Sequence, residues 1–155
     1  MSAVAIVGLI SDTHGLLRPE AVAALAGSDL IVHAGDVGQP EILERLRAIA
    51  PVFAVRGNID RDAWAMSLPE WLVMEAGPAR IFVLHDLGQL GRYPAASGCH
   101  VVVSGHSHKP AQFERGGVLY VNPGSAGPRR FRLPVTVARI DLRPAPWAVE
   151  FRELQ

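Results

Sequence analysis

The chain has 155 residues, and its 15 Lys and Arg balance its 15 Asp and Glu, so the formal net charge is zero. That length suits a single domain over residues 1–155 with one substantial core, and 49% hydrophobic residues exclude a disordered chain. Neutrality gives no bias toward nucleic acid or a membrane as an obligatory partner, and one cysteine, Cys99, excludes an internal disulfide or a cysteine metal cluster and fits a reducing compartment.

Met1-Ser2-Ala3-Val4 has no basic n-region, so no signal peptide is expected. No apolar run reaches the roughly 20 residues needed to span a bilayer. A cytoplasmic location is the expectation. Residues 4–10 are short, apolar and β-branched, and predict a buried strand. Residues 19–26 predict a short helix with proline in its first turn and Gly27 after its end. A second apolar run covers 30–33. Residues 40–50 place Ile42, Leu43, Leu46 and Ile49 on one face, the pattern of an amphipathic helix. Residues 52–55 predict a third strand, which completes an alternation typical of a sheet with covering helices.

Beyond this point the pattern loosens. Residues 60–69 predict a loop or broken helix, with Trp64 and Met66 packed beneath it. Strands are expected at 71–75 and 80–84, around a Gly77-Pro78 turn. A short helix is expected within 91–97, limited by Pro94. Residues 101–104 predict a buried strand, and 118–121, 135–142 and 147–151 complete a strand-rich second half.

The ends of the apolar strands carry the polar residues. The first runs into Asp12-Thr13-His14-Gly15, the second into His33-Ala34-Gly35-Asp36 and the third into Arg56-Gly57-Asn58-Ile59-Asp60. Two later strands run into His85-Asp86 and into Gly105-His106-Ser107-His108. Ligand sites in open α/β sheets lie outside the carboxyl ends of the strands. Residues two apart in extended chain point the same way, so Asp12 with His14, and His106 with His108, are expected to converge. Oxygen and imidazole donors without thiolate suit manganese, iron, zinc, nickel or cobalt. Each motif alone is weak; five in succession after buried strands make a metal site.

As a set, Asp12-x-His14, Gly35-Asp36, Gly57-Asn58, His85 and Gly105-His106-x-His108 resemble the calcineurin-like metallophosphoesterase signature. The Gly-Asn-x-Asp form of the third motif and Asn122-Pro123-Gly124-Ser125 are similar to its small bacterial and archaeal phosphodiesterase branch. The resemblance implies an α/β fold: a four-layer sandwich of two packed mixed sheets flanked by helices. It implies two divalent metals, manganese foremost. Asp12, His14, Asp36 and His108 would hold one; Asp36, Asn58, His85 and His106 would hold the other, with Asp36 bridging. Asp36, Asn58 and His106 would serve catalysis. The implied reaction is hydrolysis of the P–O bond of a small phosphate ester by a hydroxide generated at the metals. A homo-oligomer is compatible with the family. The same resemblance admits a phosphomonoesterase, a pyrophosphate hydrolase, or a scaffold such as the related retromer subunit.

Several positions have a second reading. Ile59 stands where many larger relatives have a histidine thought to assist the leaving group, and isoleucine has no proton to give. Asp60 either orients a ligand or caps the next segment. Asp86, where the family usually has glycine, is expected not to bind metal directly. Arg56 either orients phosphate or pairs with a nearby carboxylate, the second being favoured. His33 is expected to hydrogen-bond beside the site, His100 to be structural or exposed, and Cys99 to be packed. Arg129, Arg130 and Arg132 around Phe131 read as a solvated loop, and Asn122–Ser125 as a structural turn.

Overall fold

A computed structural model describes residues 4–154; Met1-Ser2-Ala3, where the leader would begin, lie outside it. Strand β1 (Ile6–Ile10) sends Val7 and Leu9 to one side and Ile10 to the other, all fully buried. A strand that is apolar on both faces must be covered on both, as in a parallel sheet between layers. β1 pairs in parallel with β2 (Leu30–His33), and β2 with β3 (Val52–Ala54). β9 (Thr136–Asp141) and β10 (Ala148–Glu153) add antiparallel on the other side, giving the order β10-β9-β1-β2-β3.

The second sheet has the order β4-β5-β6-β8-β7. Its strands are β4 (Trp71–Ala76), β5 (Ala79–Leu84), β6 (Val101–Val103), β7 (Ala111–Arg115) and β8 (Val118–Asn122). β5, β6 and β8 run parallel, and β4 and β7 close the edges antiparallel. Ile81, Val83, Val101, Val103 and Val121 face the first sheet and meet Val7, Leu9, Val32 and Ile140 in one inter-sheet core.

Helices cover the outside. α1 (Pro19–Leu25) and α2 (Pro40–Arg47) pack Ala21, Leu25, Ile42, Leu43 and Leu46 on Ile10, Ile31 and Val137. Two 3-10 turns, Leu87–Arg92 and Pro94–Ala96, cover Phe82, Leu84 and Val102 on the other outer face. These are the four layers the resemblance implied.

The differences from expectation are local. α2 stops at Arg47 rather than residue 50, because its last turn tightens, with the Ile49 N–H donating to Leu46 O, and Pro51 follows. The helix expected in 91–97 is instead the second 3-10 turn and the end of the first. Residues 60–69 hold a 3-10 turn, Ala63–Ser67, over which Trp64 packs on the α-helical side while Met66 is 52% exposed. Met66 therefore does not pack beneath the segment. β7 escaped the sequence reading because it is a short, wholly exposed edge strand whose only apolar residues are Ala111 and Phe113, too brief an alternation to mark a strand.

Candidate metal centre

Six parallel strands end on one side of the sandwich, and each hands its next residues to the same cavity rim. The β1–α1 turn holds Asp12 and His14, and the β2–α2 turn holds Asp36. Asn58 follows β3, His85 follows β5, and His106 and His108 follow β6. The structure brings five of the seven into tight contact. Asp12, His14 and His108 form one group with ligand atoms within 4.8 Å of one another, and Asp12, Asp36 and His85 form a second. Asp36 Oδ2 lies 3.4 Å from His14 Nε2 and 3.3 Å from His85 Nε2. Asp12 Oδ1 lies 3.5 Å from His108 Nε2 and 3.8 Å from His85 Nε2. Both carboxylates thus approach both histidine flanks, with Asp36 Oδ2 between His14 and His85.

The polar atoms in this cluster have the wrong partners for a chain without cations. Asp12 Oδ1, His14 Nε2 and His85 Nε2 are buried and make no hydrogen bond. His85 Nδ1 lies 2.8 Å from Ala34 O. A carbonyl only accepts, so Nδ1 carries the proton and Nε2 presents a lone pair to the carboxylates. Buried ring nitrogens and carboxylate oxygens aimed at one another a few ångströms apart, without hydrogen-bond partners, are a donor set that fits a cation. The hydrogen bonds that do form use the opposite oxygens. Ser11 Oγ (2.8 Å) and the His106 N–H (3.1 Å) donate to Asp12 Oδ2, and the Ile59 N–H (3.1 Å) donates to Asp36 Oδ1. Asp12 Oδ1 and Asp36 Oδ2 are left free. The residues present fit divalent metal.

Titration follows from the same crowding. Burial raises the Asp12 pKa above the usual carboxylate value despite His85 and Ser11. Burial also opposes ionisation of Asp36, but His85, the Ile59 N–H and His14 hold it below the usual value. Burial pulls His85 down, and Asp36 and Asp12 more than offset this, so it stands above the ordinary histidine. His108 is lowered, by burial first, with Arg130 and His14 adding to it.

Residues 6–144 match the family model for the calcineurin-like phosphoesterase superfamily domain. The chain belongs to that superfamily. It is 38% identical over 149 residues to a probable metallophosphoesterase of Methanothermobacter thermautotrophicus, covering 88% of this chain and 86% of the relative. It is 31% identical over 155 residues to the phosphodiesterase YfcE of Escherichia coli, covering 84% of each. The solved structure of the E. coli protein superposes with a TM-score of 0.71 at 28% identity, over 88% of each chain. Chaetomium thermophilum Vps29 shares the fold, with a TM-score of 0.77 at 22% identity over 97% of this chain and 98% of that one.

The superfamily's ligand positions sit on unusual backbone in this member. Asp12, His14, Asp36, His106 and His108 all have left-handed φ, between 46° and 73°. Non-glycine residues there are uncommon and strained. Convergence of Asp12 and His14 therefore comes from consecutive sharp turns, not from the alternation of an extended chain. The same turns separate the other pair. His108 is buried, its ring tilted 48° to the His14 ring at 5.5 Å, whereas His106 is exposed and lies edge-on to His85 at 5.2 Å. His106 and His108 border different flanks of the one cluster, His108 beside His14 and His106 beside His85. Asn58 is exposed at the rim beside His106. The turns also need glycine: a Cβ on Gly57 would land on Asp36 Oδ1, and one on Gly105 would land on Ser11 Oγ.

The surrounding polar residues hold the loops. Asp60 is buried, and its carboxylate accepts from the N–H groups of Val37 (3.0 Å), Gly38 (3.0 Å) and Gly57 (2.9 Å). It therefore neither contacts a ligand side chain nor caps the Ala63–Ser67 turn; it ties the Asp36 loop to the Asn58 loop. His33 is fully buried, and burial pushes its pKa down to about 3. Its Nδ1 accepts from the Gly35 N–H, so Nε2 donates to Thr13 Oγ1 (3.0 Å), which donates to Val37 O. Asn122 donates to Gly105 O, and Ser125 Oγ donates to Asp12 O. The Asn122–Ser125 turn thus braces two ligand loops, a role its turn chemistry alone did not specify.

Arg56 donates to Leu68 O (2.6 Å) and to Glu70 (3.2 Å), the carboxylate pairing favoured from sequence, while lining the cleft next to Asn58. Asp86 accepts from the Gly88 N–H and stands outside both ligand groups. His100 is exposed and accepts from the Arg80 N–H, and Cys99 is buried. Phe131, 92% exposed at φ 55°, sits with Arg129, Arg130 and Arg132 on an exposed loop.

Proposed function

We propose that this protein hydrolyses phosphodiesters with two bound divalent metals; the oxygen and imidazole donors suit manganese, nickel, iron, cobalt or zinc, and the family resemblance favours manganese. The observation that carries the reading is the set of buried, unpartnered atoms Asp12 Oδ1, His14 Nε2 and His85 Nε2 facing the two carboxylates. Asp12, His14, Asp36 and His108 would hold one metal, and Asp36, Asn58, His85 and His106 the other. Bound there, the metals supply Lewis acidity toward phosphate and lower the pKa of water.

The chain's own residues do the rest. Asp12 and Asp36 carry only two negative charges, and Asn58 supplies an oxygen without a third, so the centre stays attractive to phosphate. Ser11, the His106 N–H and the Ile59 N–H fix which carboxylate oxygen faces the centre. Ala34 O fixes the His85 tautomer. His106, exposed at the rim, and Arg56 in the adjoining cleft meet the phosphate from the open side. Ile59 gives no proton to the leaving oxygen, so esters with acidic alcohols are the better substrates.

Asp36→Ala tests the reading. It removes an oxygen shared by both positions, and manganese-stimulated hydrolysis of an aryl phosphodiester should fall to background. Full activity in that variant refutes the two-metal reading. A scaffold like the one noted for this fold predicts no metal-stimulated turnover in the unaltered protein; Ile59 is the feature that favours it.

A further inference from the structure

Two clefts adjoin at His106 and Asp86, which line both. The first, of about 410 Å³, is lined by Arg56, Asn58, His85, Gln89, Arg92 and Tyr93. The second, of about 270 Å³, is walled by Leu87, Ala111, Phe113, Tyr120 and Val121. The 3-10 turn that begins after Asp86 divides them: Leu87 faces the apolar side, and Gln89 and Arg92 face the polar side. Phe113 and Tyr120, register partners on β7 and β8, stack at 4.7 Å with their planes 5° apart, with the Arg115 guanidinium 5.4 Å from the Phe113 ring centre, and the stacked pair forms an aromatic wall of the cleft.

We propose that the two clefts seat the two ester arms of a phosphodiester, the apolar cleft taking a flat, apolar arm that stays on phosphorus and the polar cleft taking the arm that leaves. This rests on the phosphoesterase reading above and specifies its substrate class. A monoester has one arm and leaves one cleft unused, whereas a diester held at His106 has an arm on each side. Hydrolysis breaks the P–O bond to the leaving arm and forms one to the oxygen of water. One proton of that water ends on the departing alcohol, and the other arm remains on a phosphate monoester. Charge grows on the leaving oxygen, and Ile59 offers it no proton. The arginine-lined, water-accessible cleft suits that arm, and the Phe113–Tyr120 wall suits an uncharged ring.

The test compares phenyl p-nitrophenyl phosphate with methyl p-nitrophenyl phosphate. Both have the same leaving group and charge and differ only in the retained arm. In the unaltered protein the phenyl ester should show a KM about tenfold lower. Ala111→Trp, which fills the apolar cleft, and Phe113→Ala, which removes half its wall, should each bring the ratio of the two KM values near one. Both residues are on the exposed face of an edge strand, and manganese affinity measured by titration calorimetry checks that each variant keeps its centre. Equal KM values in the unaltered protein, or a preference that survives both substitutions, overturns the cleft assignment while leaving the phosphoesterase reading intact. Failure of manganese to stimulate turnover of either ester overturns that reading and the assignment with it.

Discussion

Replacing Asp60 with asparagine isolates the clamp between two ligand loops. The aspartate accepts three backbone N–H groups, two on Oδ2 and one on Oδ1. Asparagine keeps one oxygen. If it faces Val37 and Gly57, the new NH2 group meets the Gly38 N–H at 3.0 Å, where two donors confront each other. The two surviving bonds lose their charge assistance, about 1 kcal/mol each, and the third is lost with a donor left unsatisfied, about 1–2 kcal/mol more. The sum is about 3–4 kcal/mol. For a domain of this size that lowers Tm by about 6–16 °C. Calorimetry in EDTA at neutral pH measures it without metal linkage. The Asp36 loop loses its tie to the Asn58 loop in the same variant, so manganese affinity should weaken alongside Tm. A Tm within 2 °C of the unaltered protein, with manganese affinity unchanged, would refute the assignment of Asp60 as the tie.

Two further outcomes follow from the centre. His33 is neutral in the folded chain down to about pH 3, whereas in the unfolded chain it takes a proton below about 6.5. The unfolded state therefore binds more protons in that window. The contribution of His33 is complete above pH 6.5 and is lost as pH falls toward 3, at about 1.4 kcal/mol per unit. Urea unfolding in EDTA from pH 6 to 4 should show that His33→Gln has the shallower loss by about this slope; parallel slopes would remove His33 from the acid response. Manganese at a hundred times its dissociation constant should stabilise the unaltered protein by about 2.7 kcal/mol. His85→Ala should lose most of that gain in a thermal shift series, and an undiminished shift would show that manganese binds elsewhere.

The cluster of candidate ligands was legible because oxygen and nitrogen donors at the ends of apolar strands have few structural uses. Asp12, His14, Asp36, His85 and His108 could be picked out by residue type and position alone. How they converge could not, since φ is not written in the sequence when the residue is aspartate or histidine and not glycine. The extended-chain rule therefore aimed His106 and His108 at one site, without showing that left-handed turns set His108 near the His14 ring and His106 near His85. Asp60 was misread for a related reason: its partners Val37 and Gly38 are over twenty residues away and join it through the main chain, which leaves no trace in side-chain chemistry. β7 offered only Ala111 and Phe113 as an apolar face and stays exposed, yet one further signal for it was present. Gly116 and Gly117, both at positive φ, form a two-residue hairpin turn ahead of β8.

The five left-handed ligand positions set the fold and its chemistry in opposition. Each non-glycine residue held there costs about 1–3 kcal/mol, and together they amount to a sizeable share of the net stability of a domain. Glycine at exposed His106 would relax its backbone and remove a proposed metal donor in one step. A descendant released from selection for hydrolysis would thus become more stable as it lost its ligands. Return would require re-installing strain one residue at a time, each step destabilising and none rewarded until the donor set was whole. In this architecture the loss of activity runs downhill, and its recovery does not.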